Sequence, residues 1–386
     1  MTTGAQNDPF AIDDEFDDLA VGPVAEAPLA AVVLAAGEGR RMQSERPKPL
    51  HRLCGRPMLM YVLDSLAGTD ASRAVIVVGH KGDWVAKKLL EHSHRIDIEF
   101  VEQRVQRGTG DAAMVGLVGL PDEEDEGDVL VLPGDAPLLR PATIAQLVEH
   151  HRSSGAAATL LTAVMEDPTG YGRVVRGANG AVERVVEDGD ATDDERAIDE
   201  INTSIYCFRR SLLAPALRRV EPDNAQGEYY LTDVVAVLSG TGHRVEALVA
   251  HDAAETQGVN DRVQLAAAES ELRRRTNESL LRSGVTMLDP ASVFVDTTVA
   301  VGQDVTLFPG VILQGDTVIG DGTELGPNTR LVDCTVGDDC VIEQTTARSA
   351  RIGDRCTVGP YASIGPGAEL PSDVTTGPFY TADTAT

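Results

Sequence analysis

Residues 31–50 read AVVLAAGEGRRMQSERPKPL, and the fold follows from how this stretch is parsed. Residues 31–35 are an unbroken apolar run, the mark of a buried strand, and a glycine-bearing loop follows at once. Gly37 and Gly39 remove side chains where a backbone must come close to a ligand, and successive free N–H groups there can form an anion-binding nest. Arg40, Arg41 and Lys48 lie within a dozen residues of that nest. Fixed positive charge on a strand-to-loop edge is what a triphosphate needs to be held and to react. Taken alone, the stretch reads equally well as an ordinary glycine turn with solvated arginines, because short glycine motifs are common.

Outward from it, short aliphatic runs alternate with helical patterns as far as residue 250. Strands are expected near 74–78, 96–101, 129–132 and 157–164, and helices near 58–66, 84–92 and 143–151. This alternation predicts parallel strands joined by crossover helices, an α/β sheet covered on both faces, with ligands beyond the carboxyl ends of its strands. Residues 261–284, DRVQLAAAESELRRRTNESLLRSG, predict one helix of about six turns, with Asn260 placed to cap it and Gly284 to end it.

Beyond the helix the period becomes six. Val295, Val301, Leu307, Leu313, Ile319, Leu325 and Leu331 are aliphatic at steps of six; a slip of one residue gives Val336 and Ile342. After an apparent insertion the step resumes at Ile352, Val358, Ile364 and Leu370. Hexapeptide repeats mean a parallel β-helix, here of roughly four coils. The expected domains are therefore a disordered acidic tail (1–28), an α/β domain (29–256), a linking helix (257–286), a β-helix (287–377) and a short tail (378–386).

With 386 residues and a net charge of −28, the chain has room for two domains and lacks the surplus of Lys and Arg that nucleic acid or an anionic membrane surface requires. No apolar run approaches the roughly 20 residues that span a bilayer, and a cytoplasmic protein is the expectation. The five cysteines, Cys54, Cys207, Cys334, Cys340 and Cys356, show no zinc-like spacing and are expected as buried reduced thiols.

LAAGxGxRM followed by PKPL resembles the signature of sugar-1-phosphate nucleotidyltransferases, most closely the bacterial N-acetylglucosamine-1-phosphate uridylyltransferases of the GlmU family. Arg40 stands where that family usually has threonine. The resemblance implies a Rossmann-like nucleotidyltransferase domain and a left-handed β-helix that trimerises. It implies transfer of UMP from UTP to N-acetyl-α-D-glucosamine 1-phosphate, for cell-wall precursor synthesis. Arg41 and Lys48 would be the catalytic cations. Leu34, Gly37 and Lys48 would contact the nucleotide, and Gln103, Gly108 and Thr109, in VEQRVQRGTGDA (101–112), would select uracil. Asp135, ending VLVLPGD (129–135), and Asn260, in GVNDR (258–262), would hold Mg²⁺, which suits few protein oxygens and several waters. Gly172, Glu187 and Asn202 would hold the N-acetylglucosamine moiety, with Ser204 replacing a more usual glycine. The string AQGEYYLTD (225–233) marks the aminosugar branch. Each of these polar residues has a plain structural reading as well: turn, cap or satisfied core group.

The implied reaction is an in-line displacement at the α-phosphorus, in which positioning and charge neutralisation do the catalysis. Related pairs such as glucose 1-phosphate with UTP or dTTP, or a silent trimeric nucleotide-sensing scaffold, are the alternatives. Acetyl transfer, the second activity of the family, is expected to be absent, since Gly365 stands where relatives carry an arginine for the sugar phosphate and the residues following 359–370 (GPYASIGPGAEL) offer no counterpart to the rest of that site.

Overall fold

The computed structural model describes residues 27–79, 81–91, 96–121 and 126–383. The expected acidic tail, up to residue 26, lies outside the described residues. Leu29–Ala35 is the central strand, parallel to Arg73–Val78 on one side and to Asp128–Pro133 on the other. Its side chains alternate between two cores, Ala30 and Val32 in one, Leu29, Ala31 and Val33 in the other. Both faces are covered, which is why the run carries no polar residue. Ala112, Ala113 and Leu117 of the helix Thr109–Val118 pack on the first face, and Leu59, Val62, Ile144 and Leu147 of the helices Met58–Ser65 and Pro141–Ser154 on the second.

From edge to edge the sheet runs Val245–Val249, Ala158–Val164, Glu200–Arg209, Asp128–Pro133, Leu29–Ala35, Arg73–Val78, Asp97–Glu102. Glu200–Arg209 is antiparallel to both neighbours, so the sheet is mixed where a parallel one was expected. Between Val164 and Glu200 the chain makes the hairpin of Arg173–Arg176 with Val182–Val186 and one helical turn, without the long crossover that a parallel return demands.

The linking helix spans Arg262–Arg282, and Asp261 caps it, its Oδ1 accepting from Val263 N (2.9 Å) and Gln264 N (2.8 Å). This corrects the expectation that Asn260 is the cap, and it leaves the Asn260 side chain for other work. Ala268 and Leu272 of the helix join Leu53, Cys54, Met58 and Tyr61 in a small core, and the Tyr61 hydroxyl meets Thr297 Oγ1 of the following domain at 2.9 Å.

That domain is a parallel β-helix of three ladders, with five, six and five strands, from Thr286–Met287 to Thr381–Ala382. Five rungs or more replace the roughly four coils expected, and the last strand lies past the expected boundary at 377. The apparent insertion after Ile342 is no insertion. Buried Ala347 takes the interior place in the ladder, so Ile342, Ala347 and Ile352 are five-residue steps like that from Leu331 to Val336. A small side chain is invisible to a pattern of large ones. Two residues before most of these aliphatics a second, small residue is buried, among them Thr317, Thr323, Thr329, Cys334, Cys340 and Cys356. All five cysteines are buried and unpaired, as expected. No helix among the described residues is long and apolar enough to cross a membrane.

Candidate active site

Three strand ends and one loop converge on a cavity of about 460 Å³. Leu34, Ala35 and Gly37 come from the central strand and its loop, Gln103 from the end of Asp97–Glu102, Asp135 from the end of Asp128–Pro133, and Gly258 and Asn260 from the loop before the linking helix. Val259 N donates to the Asp135 carbonyl at 2.8 Å, and this backbone bond sets Asn260 beside Asp135.

Lys48 closes the group. Its ammonium donates to the Asp135 carboxylate and, at 2.8 Å, to Asn260 Oδ1. Gly39, at φ +63, is what lets the lysine stem pass: a Cβ there would stand 2.9 Å from Lys48 Cβ. Gly37, by contrast, has open space around it, facing the cavity. Two hard oxygens thus converge on the Lys48 ammonium; the same donor set would suit a divalent cation with few protein ligands once the ammonium turns from them to a phosphate. Among the described residues there is no cluster of three or more His, Cys, Asp or Glu that could hold a metal otherwise. Arg41 is not brought to the cavity. It stands exposed in the short turn Arg40–Met42, outside the cavity lining.

Gln103 is 4% exposed, and its Nε2 donates to Gly108 O (3.2 Å) and to Asp111 Oδ2 (2.8 Å). The amide is thereby oriented, with its carbonyl oxygen left as acceptor. Gly108, at φ +112, begins the helix Thr109–Val118, and a Cβ there would meet Tyr229 O at 2.5 Å. Residues 225–233 dock on this loop through Tyr229 N to Arg107 O (2.8 Å), Gly110 N to Tyr229 O (2.8 Å) and Leu231 N to Thr109 Oγ1 (3.0 Å). The string is therefore a set of contacts as well as a family mark. It brings Glu228, Leu231 and Thr232 to the cavity, and none of these was foreseen.

The opposite wall is made by Gly172, Glu187 and Asn202, joined by Tyr171, Ser204 and Tyr206. Asn202 N donates to Gly172 O at 2.8 Å, which ties the two segments together. Glu187 accepts from the Thr232 hydroxyl at 3.0 Å. Burial raises its carboxyl above the ordinary value, and Asp233, Asp190 and Asp188 add to this, against the Thr232 bond. Tyr171 and Tyr206 went unforeseen because a tyrosine in or near an apolar strand reads as core, and only its facing partners, far away in the chain, show otherwise.

The MobA-like NTP transferase domain family matches residues 31–236. "Bifunctional protein GlmU" of Thermobifida fusca is 48% identical over 331 residues, covering 85% of this chain and 68% of that one. The proteins of the same description from Heliobacterium modesticaldum (44%; 90% and 75% covered) and Mycolicibacterium vanbaalenii (46%; 92% and 73% covered) are similarly close. Among solved structures, UDP-glucose pyrophosphorylase complexed with UDP-glucose aligns with a TM-score of 0.53 at 13% identity, over 64% of this chain and 99% of that one, a likeness of fold.

Proposed function

The chain belongs to the GlmU family and is a nucleotidyltransferase, and from that premise we propose that it transfers UMP from UTP to N-acetyl-α-D-glucosamine 1-phosphate, releasing pyrophosphate and giving UDP-N-acetylglucosamine for cell-wall precursor synthesis. The observation that carries this reading is one cavity with two unlike walls. A cationic, carboxylate-anchored corner holds Lys48, Asp135 and Asn260, and a polar, sugar-sized wall holds Gly172, Glu187 and Asn202.

The Gln103 carbonyl, fixed by the bonds its amide nitrogen makes, accepts from a base N–H, which uracil N3 offers and cytosine N3 does not. Gly108 and Thr109 leave room for the ring. The loop at Gly37 offers backbone donors to phosphate oxygens. Lys48 neutralises charge on the reacting phosphate and takes the larger share, with Arg41 the smaller. No side chain needs to become covalent, since orientation and charge suffice for an in-line displacement. Asp135 and Asn260 would hold a divalent ion, Mg²⁺ by the chemistry of the donors, and when bound it supplies neutralisation of phosphate charge.

The β-helix serves assembly, as a homotrimer. Acetyl transfer is not part of the proposed activity, since Gly365 stands where the family's second site carries an arginine for the sugar phosphate. Pyrophosphate release with UTP and N-acetylglucosamine 1-phosphate, against glucose 1-phosphate, tests the main reading. Equal or greater turnover with glucose 1-phosphate would reassign the sugar. Turnover of acetyl-CoA with glucosamine 1-phosphate would restore the second activity.

A further inference from the structure

A cation in the first turn of a helix opposes the helix dipole, yet Arg262 begins the linking helix, two residues after Asn260. What it reaches is a pair of acceptors on the Lys48 stretch. Arg262 Nε donates to Met42 O at 3.1 Å, and Arg262 Nη1 to His51 Nδ1 at 3.3 Å. One fork thus bridges both ends of residues 42–51, the segment that carries Lys48. Met42 and His51 are buried, whereas Gln43, Ser44, Glu45 and Arg46 between them are exposed and take no part in the core.

The histidine is fitted to this contact. A guanidinium only donates, so His51 Nδ1 is the acceptor and the ring proton sits on Nε2. Nε2 is buried without a partner among the described residues. A buried imidazole with one nitrogen unmet is a costly way to fill space, which points to the other nitrogen as the reason for it. Burial, with the charges of Arg262 and Arg46, lowers the pKa of the ring from its ordinary value, so it stays neutral and Nδ1 stays free to accept. Arg262 can set this segment because its own base is fixed. Asp261 caps the helix, Ala268 and Leu272 pack in the small core, and Glu269 Oε2 accepts from Cys54 N at 2.7 Å. Further on, Asn277 Nδ2 donates to Pro290 O (2.8 Å) and Val293 O (3.0 Å). Residues 260–262 therefore act on Lys48 from two sides: Asn260 meets its ammonium, and Arg262 holds the chain before and after it.

We propose that Arg262 is a positioning residue for nucleotidyl transfer: by stapling Met42 to His51 it keeps the Lys48 stem aimed at the reacting phosphate. This rests on the reading of the cavity as a nucleotidyl-transfer site with Lys48 as its cation. The test is pyrophosphate release by the full chain from UTP and N-acetylglucosamine 1-phosphate, for Arg262→Met and His51→Leu, each made in the wild type and in Lys48→Met. Melting profiles fix a temperature at which every variant is folded. In the wild-type background Arg262→Met is expected to lose about 10–100-fold in kcat, the scale of a misplacement on the order of 1 Å. His51→Leu, which leaves the Met42 bond, loses about 3–10-fold, and in both variants the KM for the sugar phosphate stays within about twofold. In Lys48→Met either change costs less than about twofold more, because the side chain they aim is gone. Equal losses in both backgrounds overturn the proposal by assigning the effect to general structure. An unchanged kcat in either variant, or a loss carried by KM alone, overturns it too. Should Arg262→Met fail to fold, His51→Leu decides by the same comparison of backgrounds. A wild type that releases no pyrophosphate removes the reading of the cavity and the proposal with it; an active wild type with equal losses removes the proposal alone.

Discussion

In the amino-terminal sheet the decisive contacts join distant residues, Lys48 with Asp135 across 87 positions and with Asn260 across 212. In the β-helix a residue finds its partner one coil on, as Asp321 N finds Asp338 Oδ1, 17 positions away. Periodic structure spreads its stability over many equivalent rungs, each seeing only its neighbours. The cavity has no such redundancy, since every element supplies something that no other repeats. Damage should therefore show as lost chemistry in one region and as lost stability in the other.

The sharpest break of that contrast is Asp135→Ala, expected to lower turnover by about 10³-fold or more while the melting profile and the assembly stay as they are. Lys48→Met should approach that loss and Arg41→Ala fall well short of it, as ranked by pyrophosphate release. If Arg41→Ala matched Lys48→Met, the loop carrying Arg41 would have to close over the substrate. Gly39→Ala tests the same corner by steric means. It forces a side chain onto the Lys48 stem, and a misplacement on the order of 1 Å is worth about 10²-fold in kcat. On the other side of the contrast, Leu331→Ala empties a place in the β-helix interior where the leucine is fully buried. A cost of about 2–5 kcal/mol is expected, read as an earlier unfolding transition, with kcat at room temperature within about twofold of wild type. The smallest effect belongs to Glu187→Gln. A carboxyl whose folded pKa is raised stabilises the fold fully below its unfolded value, about 4.3, and that contribution is lost as pH rises through the folded value. The neutral variant should therefore melt roughly 1–3 °C above wild type near about pH 8, with the gap closing toward about pH 4.

Local signals were legible and reciprocal ones were not. The central strand, the Lys48 stretch, the Asp135 strand end and most of the repeat follow from residues adjacent in the chain. The antiparallel course of Glu200–Arg209 depends on what the hairpin before it does in space. Asp261 and Asn260 are equally good caps on paper, and only the Lys48 ammonium, 2.8 Å from Asn260, separates their tasks. Ala347 escaped because an interior place can be filled by a residue with little hydrophobic signature. The docking of residues 225–233 on the Gly108 loop is carried by main-chain atoms, which no side-chain pattern advertises.

The bond from Val259 N to the Asp135 carbonyl has a practical corollary. A protein engineer who severed the chain at residue 256, where the composition first changes, would excise one jaw of the cation clamp and leave Lys48 gripping a single oxygen donor. Any transplant of the catalytic half must carry its graft through the first turn of the linking helix.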